Sequence, residues 1–280
     1  MRRAAWRALE RLGVLAWVGD LRARLRYIRS RELRERNASL TTAPTADGYP
    51  LPPPELVYAV AGHFDLDLYV RSGADHAEFI RDRVSAAGLD LDRARALLEF
   101  GCGCGRVLRR WHTLTSARVC GCDVNPRLVA WCQGALPFAE VTTNGLEPPL
   151  PYADDTFDVI YAISVLTHLP GSLQERWMRE LERVLAPGGV ALVTTKGASR
   201  SDALTAAERE RFEAGQFVVQ ASRYAGRNLC AAFNPERDIR ERLSGDLEVV
   251  EFVPADGAVF TQDATVFRKR AAPATSARAQ

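Results

Sequence analysis

The chain has 280 residues, 47% of them hydrophobic, enough for one large core with extensions. Its formal net charge is +2, so bulk charge does not point to a nucleic-acid partner. No stretch is apolar for long enough to span a bilayer, and the run at 12–18 is followed by no small-residue cleavage site.

The charge is unevenly placed. Residues 2–36 carry eleven arginines against four acids. Trp6, Leu9, Leu12, Leu15, Trp17, Leu21, Leu25 and Ile28 recur among them at helical spacings, which predicts one helix over 4–36. A basic helix of this kind packs on its own domain or on a second subunit, or lies on an anionic membrane surface. Residues 44–54 read as a linker, with Pro52, Pro53 and Pro54 barring regular structure. The N-terminal region is therefore divided into a helix and linker, 1–50, and a cap, 51–95. Helices are predicted at 56–62 and 75–87 in the cap, with His63, Asp65 and Tyr69 between them as candidate cofactor or substrate contacts.

From Ala96 strands and helices alternate. Strands are predicted at 96–100, 118–123, 139–143, 157–163 and 190–195, and helices at 105–115, 126–134 and 172–185. This alternation implies a parallel sheet with helices on both faces. Two further strands, 247–253 and 259–268, are joined by a turn so short that they must be antiparallel. The stretch 197–235 reads as an irregular lid, the domain as 96–270, and residues 271–280 as a disordered tail. The six cysteines include two pairs separated by one residue, 102/104 and 120/122, at predicted strand ends. Zinc sites usually place two or more residues between paired cysteines, so small buried thiols are expected and no metal.

An open parallel sheet binds ligands beyond the carboxyl ends of its strands. Gly101, Gly103 and Gly105 follow the first strand. A dinucleotide turn would place its third glycine at position 106, which is Arg106, so a nicotinamide-dependent oxidoreductase is disfavoured. The sequence Glu99-Phe100-Gly101-Cys102-Gly103-Cys104-Gly105 resembles the first motif of the class I S-adenosylmethionine-dependent methyltransferases. Cys120 to Pro126, Pro151 to Ile160, Ser164 to Leu169 and Leu181 to Gly189 resemble four further motifs of that family, in order.

The resemblance implies a Rossmann-like seven-stranded sheet with an antiparallel last strand, and S-adenosylmethionine as cofactor. It implies cofactor contacts at Glu99, Gly101, Cys102, Gly103, Gly105, Asp123, Val124, Asn144, Gly145, Ile163 and Ser164. Asp123 would hold the ribose hydroxyls and Asn144 the adenine, while Glu99 would orient the turn or reach the ammonium group. His168 is the candidate general base and Lys196 a candidate contact for an anionic substrate. Near the C terminus, Asn234 stands where a bacterial subgroup has histidine; before Pro235 it reads as a helix cap. The expected protein is a bacterial, cytoplasmic methyltransferase of a small-molecule acceptor, with a sugar or glycolipid hydroxyl as one candidate. A catalytically inactive binding module is the alternative, opposed by the intact glycines and Asp123. Peripheral membrane contact is expected, if anywhere, through residues 1–36.

Overall fold

Strands buried on both faces of a sheet read as unbroken apolar runs. The first strand, β1 (Ala96–Phe100), is of this kind, with all five residues buried, Glu99 included. Around it the computed structural model, which describes residues 14–42, 45–257, 259 and 261–271, builds one large sheet. The other strands are β2 (Arg118–Asp123), β3 (Glu140–Thr143), β4 (Phe157–Ala162), β5 (Leu185–Thr195), β8 (Glu248–Val253) and β9 (Asp263–Arg268). Their order is β3-β2-β1-β4-β5-β9-β8. The strands β1 to β5 pair in parallel, and β9 runs antiparallel to both β5 and β8. This is the expected seven-stranded topology. A separate two-stranded ribbon, β6 (Val218–Gln220) with β7 (Ala231–Phe233), lies in the segment expected to be irregular.

Crossover helices cover the sheet. Asn125 caps α5 (Pro126–Ala135) by accepting the Arg127 amide, and Pro126 fills the first turn, where its missing N–H costs nothing. In α6 (Gly171–Val184) the buried residues Leu173, Trp177, Met178, Leu181 and Val184 recur on one face. Trp177 lies 4.5 Å from the Phe100 ring and donates its indole N–H to the Leu146 carbonyl at 3.0 Å.

Contacts divide the chain into two units, 1–71 and 72–280. In the first, the single helix expected over 4–36 is broken. Residues 1–13 lie outside the described residues. From there α1 (Val14–Arg29) ends at Ser30, whose hydroxyl accepts the Leu33 amide and starts α2 (Arg31–Thr42). Pro54 does not bar structure but opens α3 (Pro54–Ala61), which Gly62 closes in the left-handed conformation at φ 72°. The Phe64 ring is stacked by Tyr27 and Tyr58, and the buried Asn37 bonds both the Phe64 carbonyl and the Leu66 amide. Of the cap candidates, Asp65 pairs with Arg36 at 2.5 Å, and His63 Nδ1 accepts the Asp65 amide.

The boundary between the units falls within α4 (Leu66–Ala86), which begins nine residues before its expected start. Gly73 lies inside it, where a Cβ would collide with the Arg106 carbonyl. The glycine is the close-packing point of a continuous helix.

Replacing Trp177 with alanine removes the largest side chain between α6 and the sheet. Chemical denaturation is expected to show a loss of about 3–5 kcal/mol; a loss under about 1 kcal/mol would mean that this contact does not hold the helix.

Candidate active site

Because β1 to β5 are parallel, their carboxyl ends share one edge of the sheet. That edge presents Gly101, Asp123, Asn144, Ile163 and Lys196 in turn. Gly101, Gly103 and Gly105 all have positive φ, at 78°, 55° and 81°. A Cβ on Gly101 would strike Val165, and one on Gly105 would approach Leu136 to 2.6 Å, so the turn admits no side chain at either position.

One carboxyl group holds the turn and a second lies buried just before it. Asp123 accepts the Gly103 amide at 2.9 Å with one oxygen and the Asn125 amide at 2.8 Å with the other. Burial raises its pKa, and the two amides oppose that shift. Beneath the turn Glu99 is fully enclosed. Trp111 Nε1 donates to the Tyr161 hydroxyl at 2.7 Å, and that hydroxyl donates to Glu99 at 2.8 Å. Burial pushes the Glu99 pKa up to about 8, against the Tyr161 hydroxyl, the Arg106 charge and the Leu108 amide. The helix expected at 105–115 is only the 3-10 turn Leu108–Thr113.

Cys102 turns inward. It is 2% exposed, and its amide is spent on the Cys122 carbonyl. A hydrogen bond with Cys132, then burial, raises its pKa well above the usual thiol range. Its side chain is therefore part of the core. All six cysteines are buried free thiols.

Farther along the edge, Val124 is 42% exposed. Asn144 donates from Nδ2 to the Gly145 carbonyl at 2.7 Å, while its buried Oδ1 has no partner among the described residues. β4 ends at Ala162, one residue before the expected end, and Ile163 and Ser164 form the bend after it. Ser164 holds the left-handed region at φ 63°, uncommon for a residue with a side chain. Its amide donates to Thr194 Oγ1 at 2.8 Å, that hydroxyl donates to Gln262 Oε1 at 2.8 Å, and Gln262 Nε2 donates to Ser164 Oγ. Thr194 escaped the sequence reading. The available signal was a pair of threonines, Thr194 and Thr195, closing the apolar run 190–193.

His168 sits in the 3-10 turn Leu166–His168 after β4, half-buried. Its Nδ1 lies 2.9 Å from the Cys230 carbonyl. A carbonyl only accepts, so Nδ1 carries the hydrogen and Nε2 the lone pair. Burial lowers the His168 pKa, helped by the Lys196 charge and opposed by the Cys230 bond. Lys196 is not a solvated loop residue: it lies 5.7 Å over the Phe233 ring, and burial lowers its pKa. Asn234 is not a helix cap. Its buried amide pairs with the amide of Gln174 and donates to Asp238, which Arg242 also grips.

Residues 98–193 match the methyltransferase domain family. The chain is 34% identical over 111 residues to the methyltransferase GfsG of Streptomyces halstedii, covering 36% of this chain and 37% of that one. It is 33% identical over 119 residues to the 27-O-demethylrifamycin SV methyltransferase of Amycolatopsis mediterranei, covering 39% and 41%. The match thus spans about two fifths of these relatives' length. In fold, the chain is similar to the Burkholderia thailandensis 1,6-didemethyltoxoflavin-N1-methyltransferase, solved with 1,6-didemethyltoxoflavin and S-adenosylhomocysteine bound. The TM-score is 0.53 at 15% identity, over 85% of this chain and 90% of that one.

Glu99 gives a pH signature. Its folded pKa, about 8, lies above the ordinary 4.5, so the folded state holds the proton more tightly. The resulting stabilisation is complete below about 4.5 and is lost as pH rises through about 8. Thermal melts of the ligand-free protein are expected to fall over this range, and those of Glu99→Gln to fall less. Parallel curves would show that Glu99 is ionised in the fold.

Proposed function

We propose that the protein transfers the methyl group of S-adenosylmethionine to a hydroxyl of a small molecule, a reading supported by the methyltransferase-domain match over residues 98–193 and the seven-stranded sheet. The observation that carries the cofactor assignment is the Asp123 carboxyl group at the end of β2, bonded to the Gly103 amide of a turn whose three glycines all take positive φ. The bare backbone of the glycine turn and the exposed Val124 fit the same group.

S-adenosylmethionine supplies a methyl carbon already activated by its sulfonium. The protein's tasks are to hold, align and deprotonate. Each Asp123 oxygen keeps a lone pair beyond its amide bond, enough to accept the two ribose hydroxyls. Gly101, Gly103 and Gly105 let the aminoacyl end approach the backbone, and Glu99 keeps that turn in shape. Asn144 and Gly145 meet the adenine, and Ile163 and Ser164 flank the methionine portion. His168 takes the acceptor's proton on Nε2, which the Cys230 carbonyl leaves unprotonated. Lys196, held beside the same residues, attracts an acceptor that carries negative charge. The name of the rifamycin relative, with its O-demethyl substrate, supports a hydroxyl acceptor.

Calorimetric titration with S-adenosylmethionine tests the first half of this reading. Saturable binding is expected, weakened about tenfold to a hundredfold in Asp123→Ala by loss of charged hydrogen bonds; a folded wild type that does not bind would refute it. The second half is read from the pH dependence of methyl transfer to hydroxyl acceptors. Because the His168 pKa is lowered, the base is already neutral above the ordinary histidine value, about 6.5, and the limb of kcat/KM falls at more acidic pH. His168→Ala is expected to lower kcat about a hundredfold or more and to erase that limb. An unchanged profile would remove His168 from the chemistry.

A further inference from the structure

The helix α1 is mounted with its apolar stripe outward. Its Tyr27 side packs within its own unit: the Tyr27 ring stacks on Phe64 at 4.6 Å, and the Asn37 amide donates to the Tyr27 hydroxyl. The opposite side carries Leu21, Leu25 and Ile28, which are 41%, 39% and 59% exposed. At about 100° per residue these three fall within an arc of about 60°, and Tyr27 points more than about 90° away from all of them. On the same wheel Arg24 flanks one edge of the arc, and Arg22 and Arg29 flank the other; all three are exposed. A soluble helix normally turns its apolar stripe to the core. Here an inward-facing tyrosine docks the helix and a basic-rimmed apolar stripe faces solvent.

We infer that this face of α1 binds the surface of an anionic phospholipid bilayer, with Leu21, Leu25 and Ile28 entering the acyl boundary and the arginine rim meeting the headgroups. The rim selects the occupant. Two copies of the stripe brought together would set arginine rows against each other, whereas a negatively charged lipid surface neutralises them. Shallow apolar insertion combined with a basic edge is the arrangement by which helices lie in a membrane interface. The arginine excess extends over 2–36, so long-range attraction to such a surface draws on more than these three residues. This contact is peripheral: no helix of the described residues is long and apolar enough to cross a membrane.

The test is flotation of the full chain with vesicles of phosphatidylcholine alone and of phosphatidylcholine carrying one-third phosphatidylglycerol. Binding is expected only to the anionic vesicles, and high salt is expected to release it, because headgroup attraction is screened. The combined variant Leu21→Gln/Leu25→Gln/Ile28→Gln keeps residues of good helix propensity and is expected to abolish flotation without changing S-adenosylmethionine affinity. A second variant, Arg22→Gln/Arg24→Gln/Arg29→Gln, leaves the apolar stripe intact. It is expected to weaken partitioning on the order of a hundredfold, since each basic residue near the surface contributes about fivefold. Equal binding to neutral vesicles would overturn the proposal, as would flotation that survives both variants. So would a wild-type dimer that fails to float and that the glutamine variant converts to monomer, which would assign the face to a second copy of the chain.

Discussion

The bond from the Gly103 amide to the Asp123 carboxylate is the constraint from which the rest of the site follows. It joins the turn after β1 to the end of β2. The second Asp123 oxygen holds the Asn125 amide ahead of α5, so two strand ends and a helix start form one rigid piece. The turn can be this tight only because three glycines take positive φ there. The same carboxylate that shapes the turn stands where ribose hydroxyls are read in the proposed complex. Glu99 lies buried two residues before the turn. Its burial is tolerable because the group takes up a proton and is hydrogen-bonded by Tyr161.

Opposite this rigid piece stands a more composite wall. The segment 226–234 is hooked to the strand ends by three bonds: the Gly226 amide to the His168 carbonyl, His168 Nδ1 to the Cys230 carbonyl, and the Asn234 amide to the Lys196 carbonyl. Behind it the side chains of Gln174, Asn234, Asp238 and Arg242 close a buried polar network that also binds the Leu166 carbonyl. Such a network specifies one arrangement when every member is satisfied. It gives Asn234 a structural part: the residue fixes the turn that carries His168, with no proton to exchange of its own. The Ser164, Thr194 and Gln262 network performs the same service for the strained bend after β4, tying it to β5 and the residue before β9.

The sheet was legible in the sequence because its central strands are mostly apolar runs that alternate with helical segments. The glycine turn, Asp123 and His168 were legible because they are motif residues at strand ends. Other features were hidden for physical reasons. The early start of α4 places Gly73 inside a helix, as a packing point against the backbone of Arg106 some thirty residues on. Helical periodicity continues across Ser30, where a serine hydroxyl restarts the chain as a second helix. Thr194, Gln262 and the Gln174–Asn234 pair meet through tertiary contacts between residues 60 or more apart, which no local pattern encodes. The outward stripe of α1 has the same periodicity as an inward one; which way it faces is decided by Tyr27 and Phe64.

The account's central claim is that the edge formed by Gly103, Asp123 and Asn144 receives the cofactor with its reacting end toward His168. A crystal structure with S-adenosylhomocysteine tests it most directly. The expected result is the adenine against Asn144 and Gly145, the ribose hydroxyls on Asp123 beside the Gly103 bond, and the sulfur facing the Ser164–His168 turn. A ligand bound elsewhere, or one bound at this edge with its ribose off Asp123 or its sulfur turned away from His168, would contradict it.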